Sequence, residues 1–454
     1  MSGRGTLTTP QDDSHATFPF SSKDAPPAVR ALQLLDGFAL VENKKANVHA
    51  PRDGQVIAAV LVMAAKRDKA LRNHMEQLVR LRPWSWRFPI IISQDGSDHS
   101  VAVVASEFSK KYENISHIMK KDNVPRLGIK NYGYIAAHYR WALDKVFNEM
   151  EYDYVIVTED DLDIAHDFFS YFMWGKQVLA ADPTVWCISA WNDNGLPNLV
   201  NEDSTAKVWR TDFFPGLGWM LRKELWSELS PNFPEIYWDD WMRKSEVRKG
   251  RSCLRPEISR TAHNMKVAGK GSSGGLYKAF LNNIAVNSHA VNFMLLPYEN
   301  LMKKRYDTEL QLALRDSKPV AFNEFDSTSF SPSHSYIVTF STTREWFTIA
   351  QKLGIMSDIR SGMQRTAYYG VVPVMHKKCR LYLVPVDLDL SNMEAYQYDQ
   401  IRDIQLRFLE FEKTYCNKKL YTGVCDPNSP EMIAWFKSKK WMKRLQAYGP
   451  MMVN

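Results

Sequence analysis

The stretch QVIAAVLVMAA, residues 55–65, decides the fold class. It is a nearly continuous apolar run that ends at charged residues beginning with Lys66, and such runs are typical of a strand buried in a parallel sheet. PIIIS (89–93) and DYVIVT (153–158) have the same character, and helical patterns separate the runs, at about residues 68–81, 98–112 and 131–150. Strands that alternate with helices predict an α/β protein with a mostly parallel, Rossmann-like sheet. Its functional loops are expected at the carboxyl ends of the strands.

Beyond about residue 190 the strand patterns become shorter. VWCISAW, KVWR and GLGWMLR are expected to join the sheet and to make it mixed at its edge. A second region begins near residue 325 with the strand SYIVTF (335–340), a helix at 343–353 and a hairpin formed by GVVPVMH and RLYLVPV. We therefore predict an arm or stem remnant, a main α/β domain, a smaller α+β domain and a helical extension, at residues 1–50, 51–325, 326–389 and 390–454.

Composition excludes several classes of protein. Hydrophobic residues make up 45% of the 454 residues and charged residues 24%, which is the balance of a soluble globular protein. The net charge is +7 and the basic residues are scattered, so no nucleic-acid partner is predicted. The basic cluster Lys437–Arg444 is the main exception, either as a solvated helix face or as a binding patch. No apolar run is long enough to predict a membrane span, and the first residues lack the apolar core of a signal peptide.

The cysteines limit the chemistry further. There are five, and none forms a CxxC pair, so neither a structural zinc site nor a disulfide-based scaffold is expected. Cys416 and Cys425 are close enough in sequence to pair.

Three adjacent carboxylates, Glu159, Asp160 and Asp161, follow the strand DYVIVT directly. Such carboxylates repel one another and are costly to desolvate unless a cation compensates them. At the ligand-facing edge of an α/β sheet they predict an oxygen-ligand site for Mn²⁺ or Mg²⁺, with a diphosphate supplying further oxygens. The alternatives are a solvated turn that caps the next helix, with Asp163 as an additional cap, and a structural calcium site.

The segment Trp238-Asp239-Asp240-Trp241 is a second candidate. Indole faces pack against the apolar faces of a sugar ring, and a carboxylate beside such a surface can act as a general base on a hydroxyl. The same residues also fit a helix N-terminus with an acidic first turn and two core tryptophans. The pattern alone leaves both interpretations open.

The segment 262–278 is rich in glycine and serine. Its backbone amides, its hydroxyls and Lys270 could close over phosphates, or it is a mobile loop without that role. His263 is a candidate metal ligand, although a lone histidine in a loop usually binds no metal.

Long segments between about residues 55 and 388 match one family. They include FPIIISQD, AAHYRWAL, VTEDDLDIAHDFFSYF, WCISAWNDNG, RTDFFPGLGWML, WDDWMR, CLRPEISRT and SDIRSGMQRTAYYGVV. These segments resemble the N-acetylglucosaminyltransferase I family. The resemblance implies a GT-A type nucleotide-sugar transferase fold, inverting stereochemistry, dependence on Mn²⁺ and a place in the Golgi lumen.

The resemblance also implies roles for single residues. Asp161 is expected to bind the metal and Asp239 to be the catalytic base. The residues implied to surround the donor are Arg67, Asp95 and His138 at the nucleotide, Ser273 at the diphosphate, and Asp160 and Trp238 at the sugar.

The chain departs from the family pattern at some positions. The family's first nucleotide loops hold a disulfide-bonded cysteine pair, for which this chain has Ala65 and Gly96. A second family pair is retained as Cys187 and Cys253, so the resemblance implies a disulfide there. The loop before Ser273 is a few residues longer than in the family.

Together these features predict an inverting transferase that moves GlcNAc from UDP-GlcNAc in β1,2 linkage to the α1,3-arm mannose of a high-mannose N-glycan on a glycoprotein. Transfer of β1,2-GlcNAc to protein O-linked mannose is the nearest alternative. A metal-dependent nucleotide-sugar pyrophosphatase also places carboxylates at strand ends, and a glycan-binding relic is the non-enzymatic alternative. The presence of both Asp161 and Asp239 argues against a relic.

Overall fold

Four parallel strands form the first half of the large sheet. In the computed structural model, which describes residues 56–121, 132–267, 278–399, 408–409, 411–426 and 429–438, they are β1 (Ala59–Ala64), β2 (Ile90–Asp95), β3 (Ile115–Lys120) and β4 (Tyr154–Glu159). They lie in the order β3-β2-β1-β4, and every residue of β1 is buried. The sequence patterns do not predict β3, because this edge strand is only partly buried and has no continuous apolar run.

The helices between these strands lie close to the predicted positions. They are α1 (Asp68–Leu81), α2 (His99–Lys111) and α3 (Tyr132–Asp144). The side chain of Asp98 accepts a hydrogen bond from the backbone N–H of Val101 and thereby caps α2. The third helix is shorter than expected, because the chain changes to a π-helical turn at Lys145–Glu149, and residue 131 lies outside the described residues.

The second half of the sheet is mixed. The strands that follow β4 are β5 (Leu162–Ile164), β6 (Val185–Ser189), β7 (Val208–Thr211), β8 (Trp219–Arg222), β9 (Ser252–Pro256) and β10 (Thr261–His263). The sheet continues from β4 in the order β8-β6-β9-β7, in which only β6 and β9 are parallel. The predicted α/β class, mostly parallel with a mixed edge, is therefore confirmed.

A disulfide joins two neighbouring strands of this mixed half. Cys187 on β6 and Cys253 on β9 are bonded, with their Cα atoms 4.6 Å apart and a sequence separation of 66. Both side chains are fully buried in the core. The pairing implied by the family resemblance is confirmed.

A short antiparallel ribbon lies beside the end of β4. It pairs β5 with β10, so that His263 lies opposite Leu162. The backbone N–H of Asn264 donates to the carbonyl of Asp161 at 2.8 Å. The ribbon therefore brings a histidine from a distant part of the chain to the acidic turn.

The remaining helices pack around the sheets. They are α4 (Phe168–Ala181), α5 (Lys223–Leu229), α6 (Trp238–Met242), α7 (Ser245–Arg248), α8 (Lys278–Leu281), α9 (Lys303–Arg315), α10 (Thr343–Leu353) and α11 (Pro430–Lys437). Among the described residues, no helix is both long enough and apolar enough to span a membrane.

A smaller sheet is formed later in the chain. Its elements and those of an adjacent ribbon are β11 (Lys318–Val320), β12 (Tyr336–Phe340), β13 (Ile359–Arg360), β14 (Met363–Gln364), β15 (Val372–His376) and β16 (Cys379–Pro385). The sheet has the order β11-β12-β16-β15, and the predicted hairpin is the antiparallel pair β15–β16. Because β11 pairs with β12, this sheet begins before residue 325.

A second disulfide lies in the C-terminal part of the chain. Cys416 and Cys425 form a disulfide with Cα atoms 6.0 Å apart, beside a small cluster of Phe411, Tyr415 and Met432. The predicted arm at 1–50, part of the predicted helical extension and most of the basic cluster lie outside the described residues.

Candidate active site

The acidic turn is attached to the centre of the sheet. Glu159 is the last residue of β4 and lies opposite Met63 of β1. The backbone N–H of Asp160 then donates to the carbonyl of Met63 at 3.0 Å. Because β1 and β4 are parallel neighbours, the residues after β1 and the acidic turn meet at the same edge of the sheet.

Arg67, the residue immediately before α1, lies against this turn. Its guanidinium forms ion pairs with the carboxylates of both Asp160 and Asp161. Burial opposes the charged form of Arg67, but the attraction of the two carboxylates raises its pKa. The residue that the resemblance assigns to the uridine end of the donor therefore supplies positive charge to the acidic turn in this structure.

The carboxylates themselves are deeply buried. Asp160 is 1% exposed and Asp161 is 4% exposed. Burial raises the pKa of Asp160 to about 7, and it also raises the pKa of Glu159. Each aspartate has one buried oxygen, Oδ2 of Asp160 and Oδ1 of Asp161, without a hydrogen-bond partner among the described residues. The interpretation as a solvated turn is therefore wrong.

Asp163 does not cap the next helix. Its carboxylate accepts hydrogen bonds from the side-chain amides of Asn73, Gln77 and Asn264. It ties α1 and the segment after β10 to the turn, so its role is structural.

His263 approaches the acidic turn from the ribbon. Its Nδ1 lies 3.6 Å from Oδ2 of Asp161. Although burial acts in the opposite direction, His263 and Arg67 hold the pKa of Asp161 below its usual value. The described residues contain no group of three His, Cys, Asp or Glu side chains arranged to hold a metal ion.

Two of the predicted nucleotide-binding residues, Asp95 and His138, lie on β2 and on α3. Asp95 ends β2, and Nζ of Lys120 is 4.0 Å from its Oδ1; burial raises the pKa of Asp95. His138 on α3 is hydrogen-bonded through Nε2 to the hydroxyl of Ser93 at 2.8 Å. Burial lowers the pKa of His138 to about 3, so its ring is neutral at physiological pH.

The WDDW segment forms a short helix, α6. Tyr237, which precedes it, has a left-handed backbone conformation with φ of 49°, and no side chain caps the helix. Asp239 and Asp240 lie in its first turn. The helix N-terminus proposed as the structural alternative is therefore present, and it places both carboxylates at the protein surface.

Trp238 anchors this helix in the hydrophobic core, as the alternative with core tryptophans predicts. It is 8% exposed and stacks on Tyr139 with ring centroids 4.3 Å apart. Trp219, Phe233 and Phe214 surround its other sides at centroid distances of 5.7 to 6.2 Å. The side chain of Asp239 beside it is 45% exposed and receives a hydrogen bond of 3.0 Å from Nη1 of Arg243.

Tyr139 connects the two acidic motifs. Its hydroxyl donates to Oε1 of Glu159 at 2.9 Å, while its ring stacks on Trp238. Burial and the nearby carboxylates, Glu159 foremost, raise the pKa of Tyr139 well above its ordinary value. The buried carboxylates and the exposed Asp239 therefore belong to one site.

Some site residues were found by sequence reasoning and others were not. Ser273 and most of the glycine-rich segment lie outside the described residues. Sequence reasoning missed Tyr139, which lies next to His138, because long-range contacts such as those with Glu159 and Trp238 leave no local pattern. Arg243 has a signal, since it lies four residues after Asp239 on a helix, where side chains meet.

Buried carboxylates at a central strand end, connected through Tyr139 and Trp238 to an exposed carboxylate, suit a glycosyltransferase. The model of the GNT-I family matches residues 30–399, and the chain belongs to this family. It is similar to the alpha-1,3-mannosyl-glycoprotein 2-beta-N-acetylglucosaminyltransferase of Arabidopsis thaliana, with 34% identity over 336 residues, which are 72% of this chain and 74% of the relative.

Solved structures of other glycosyltransferases are more distant. The mannosyltransferase PcManGT from Pyrobaculum calidifontis in complex with GDP-Man and Mn²⁺ is 14% identical, covering 51% of this chain and 68% of its own, with a TM-score of 0.32. S. aureus TarS 1-349 is 11% identical, covering 45% and 59%, with a TM-score of 0.31. The assignment therefore rests on the family match and on the plant relative.

Proposed function

We propose that the protein moves GlcNAc from UDP-GlcNAc in β1,2 linkage to the α1,3-arm mannose of a high-mannose N-glycan, the step that starts hybrid and complex N-glycans. Family membership and the name of the plant relative support this activity. The observation that carries the proposal is the connection from Glu159 through Tyr139 to Trp238, beside which Asp239 is exposed. A buried donor side and an open acceptor side are what a sugar transfer needs.

The donor lies, in this proposal, along the carboxyl ends of β1, β2 and β4. Arg67, Asp95 and His138 hold the nucleotide end, and Asp160 and Trp238 lie at the sugar. Ser273 binds the diphosphate from the glycine-rich loop. The neutral ring of His138 and the buried carboxyl of Asp95 suit hydrogen bonding to a base or ribose rather than pairing with phosphate.

Mn²⁺ is the proposed cofactor, held by Asp161. The donor set fits a divalent cation, because Oδ1 of Asp161 is buried without a partner among the described residues and the neighbouring carboxylates add negative charge. The remaining ligands would come from the diphosphate and water, as no three-residue ligand group is described. The chemistry that a bound Mn²⁺ supplies is stabilisation of the charge on departing UDP.

The protein's own residues perform a single displacement. Asp239 accepts the proton of the mannose 2-hydroxyl as that oxygen bonds to C1 of GlcNAc. The bond between C1 and the β-phosphate oxygen breaks on the opposite face, and UDP leaves with its electron pair. One displacement inverts C1 and gives the β-linked product. A general base of this kind contributes about 10²–10⁴-fold to the rate.

The setting of the reaction is also part of the proposal. We place the enzyme in the Golgi lumen, with residues 51–325 as the catalytic domain and 326–389 as a smaller domain. Residues 1–50 act as an arm or stem, and 390–454 form an extension.

Mass spectrometry of the products tests the activity. The protein is incubated with UDP-GlcNAc, Mn²⁺ and a five-mannose N-glycan, with and without EDTA. We expect one added HexNAc that disappears with EDTA. Donor hydrolysis with no gain on any glycan would indicate a pyrophosphatase, and transfer only to an O-mannosyl peptide would change the acceptor. No turnover of any kind would contradict the proposal.

A further inference from the structure

The helix that bears Asp239 is too short to fix its own position. α6 has five residues, a left-handed residue before it and no side-chain cap. Isolated helices of this length are unstable, so tertiary contacts must hold it. Trp238 anchors its buried side in the aromatic cluster. The exposed side, where Asp239 lies, needs another support.

Arg243 is the first part of that support. Its Nη1 donates to Oδ2 of Asp239 at 3.0 Å and to Oδ1 of Asp240 at 2.7 Å. Its Nε donates to the carbonyl of Phe214 at 3.1 Å, and its guanidinium lies 4.4 Å from the ring of Phe213. Arg243 is 5% exposed, so it joins the two surface carboxylates to the core.

Arg360 contacts one of these two carboxylates, that of Asp240, from a region more than a hundred residues away in the sequence. Its Nη1 lies 3.5 Å from Oδ2 of Asp240, and its Nε donates to Oδ2 of Asp358 at 3.1 Å. It lies on the ribbon of β13 and β14, where Arg360 pairs with Met363. The two residues of the turn, Ser361 and Gly362, both have positive φ, which is the conformation of a tight two-residue hairpin.

Asp358 is in turn held firmly. Nε and Nη2 of Arg365 donate to its two oxygens at 2.7 and 2.9 Å. Arg365 also forms an ion pair with the buried Asp193, which follows β6. Although burial opposes it, the guanidinium groups of Arg365 and Arg360 hold the pKa of Asp358 well below its usual range. An alternating series of charges therefore runs from the large sheet to Asp240.

We propose that Arg360 is a positioning residue for Asp239, acting through Asp240 and Arg243. This role rests on the proposed function of Asp239 as the general base. Partly exposed ion pairs contribute about 0–1 kcal/mol to stability, and the two atoms of this pair are 3.5 Å apart, so the pair of Arg360 with Asp240 contributes little to folding alone. Its value lies in geometry, because a displacement of about 1 Å in a reacting group can cost about 10²-fold in rate.

Steady-state kinetics of Arg360→Gln test this role. We expect kcat to fall about 10- to 100-fold, while the KM values for donor and glycan and the affinity for UDP stay within about twofold of wild type. Arg360→Lys should recover part of the loss. Lysine keeps the positive charge, but it lacks the planar guanidinium with which Arg360 contacts Asp240 and Asp358 together. Arg344→Gln is the matched control, since Arg344 is an exposed arginine whose ion pair, with Glu412, is not part of this series of charges.

A double-mutant cycle identifies the route. If Arg360 acts through Asp240, Arg360→Gln should cause less than about a twofold further loss in an Asp240→Asn background. Equal losses in both backgrounds would overturn the route, and a raised glycan KM with unchanged kcat would make Arg360 an acceptor contact instead. If the wild-type enzyme transfers GlcNAc and the Arg360→Gln variant transfers it equally well, the positioning role of Arg360 is overturned but the proposed function is not. Absence of wild-type transfer would overturn the proposed function as well.

Discussion

Glu159-Asp160-Asp161 and Asp239-Asp240 are both acidic, and the protein holds them in opposite ways. The first group ends a central strand, its two aspartates are almost completely buried, and Arg67 and His263 lie against it. The second lies on a five-residue helix with its side chains 45% and 36% exposed. Both groups are compensated by arginine, but only the second is open to solvent.

The difference indicates a division of labour. Burying several carboxylates together is unfavourable unless a cation is present, so the first group is built for a strong positive charge. An exposed carboxylate costs little to keep ionised and can meet an incoming hydroxyl. The buried group therefore suits the charged donor, and the exposed group suits the neutral sugar acceptor.

The largest effect is expected from Asp161→Asn. This substitution removes the carboxylate that we propose to hold Mn²⁺, so both transfer and Mn²⁺-dependent UDP binding should be lost. Calorimetric titration of UDP with and without Mn²⁺ measures the binding. Binding that stays intact and Mn²⁺-dependent would show that another residue holds the cation.

Asp239→Asn should separate transfer from binding. We expect transfer to fall by about 10²–10⁴-fold, because the amide cannot accept the proton of the acceptor hydroxyl. UDP affinity should remain at the wild-type value, since Asp239 lies on the exposed side of Trp238. Loss of UDP binding in this variant would mean that Asp239 is not on the acceptor side.

The two motifs also differ in how far the sequence predicts them. The acidic turn follows a buried apolar strand, and the end of such a strand can be read from the sequence. The α/β topology then places the turn at the carboxyl end of the sheet, where functional loops lie. The position of Arg67 near these carboxylates follows from the same pattern. Arg67 comes just after β1 and the acidic turn comes just after β4, and both strands are predicted to belong to one sheet. The pairing of His263 with the turn could not be predicted, because the β5–β10 ribbon has only three residues in each strand.

The surroundings of Asp239 are harder to predict. Tyr139, Phe214 and Arg360 come from three distant segments, and each contact depends on the final packing rather than on any local period. The disulfide of Cys187 and Cys253 was expected from the family resemblance, whereas spacing alone leaves its pairing open. Local patterns therefore predict the donor side better than the acceptor side.

Tyr139→Phe tests whether the two sides are coupled. The phenylalanine keeps the stacking on Trp238 but removes the hydrogen bond to Glu159, leaving a buried carboxyl oxygen without that donor. We expect the free energy of unfolding to fall by about 1–3 kcal/mol, with a smaller loss of transfer than in Asp239→Asn. Urea denaturation measures the free energy of unfolding, and Tyr134→Phe on the same helix is the control. Unchanged stability would mean that the hydrogen bond does not join the two sides.

The support beneath the acidic turn depends on a neutral histidine. His74 on α1 is fully buried, with Nδ1 2.6 Å from the carbonyl of Leu162 and Nε2 2.9 Å from the hydroxyl of Thr158. The carbonyl requires a proton on Nδ1, so Nε2 accepts from the threonine. Burial lowers the pKa of His74 to about 4.

The smallest expected effect concerns folding stability and not transfer. His74 should make the free energy of unfolding depend on pH. An unfolded histidine has a pKa of about 6.5, so between that value and about 4 the unfolded chain binds a proton that the folded protein does not. Stability is therefore complete above pH 6.5 and falls on acidification, by about 2 kcal/mol between pH 7 and pH 5. Urea denaturation at both values should show that His74→Gln lowers this difference by a similar amount, because glutamine does not titrate. If stability changed with pH by the same amount in wild type and in His74→Gln, the buried turn would not depend on a neutral His74 ring. The contrast between this turn and the exposed Asp239 helix would then rest on their carboxylates alone.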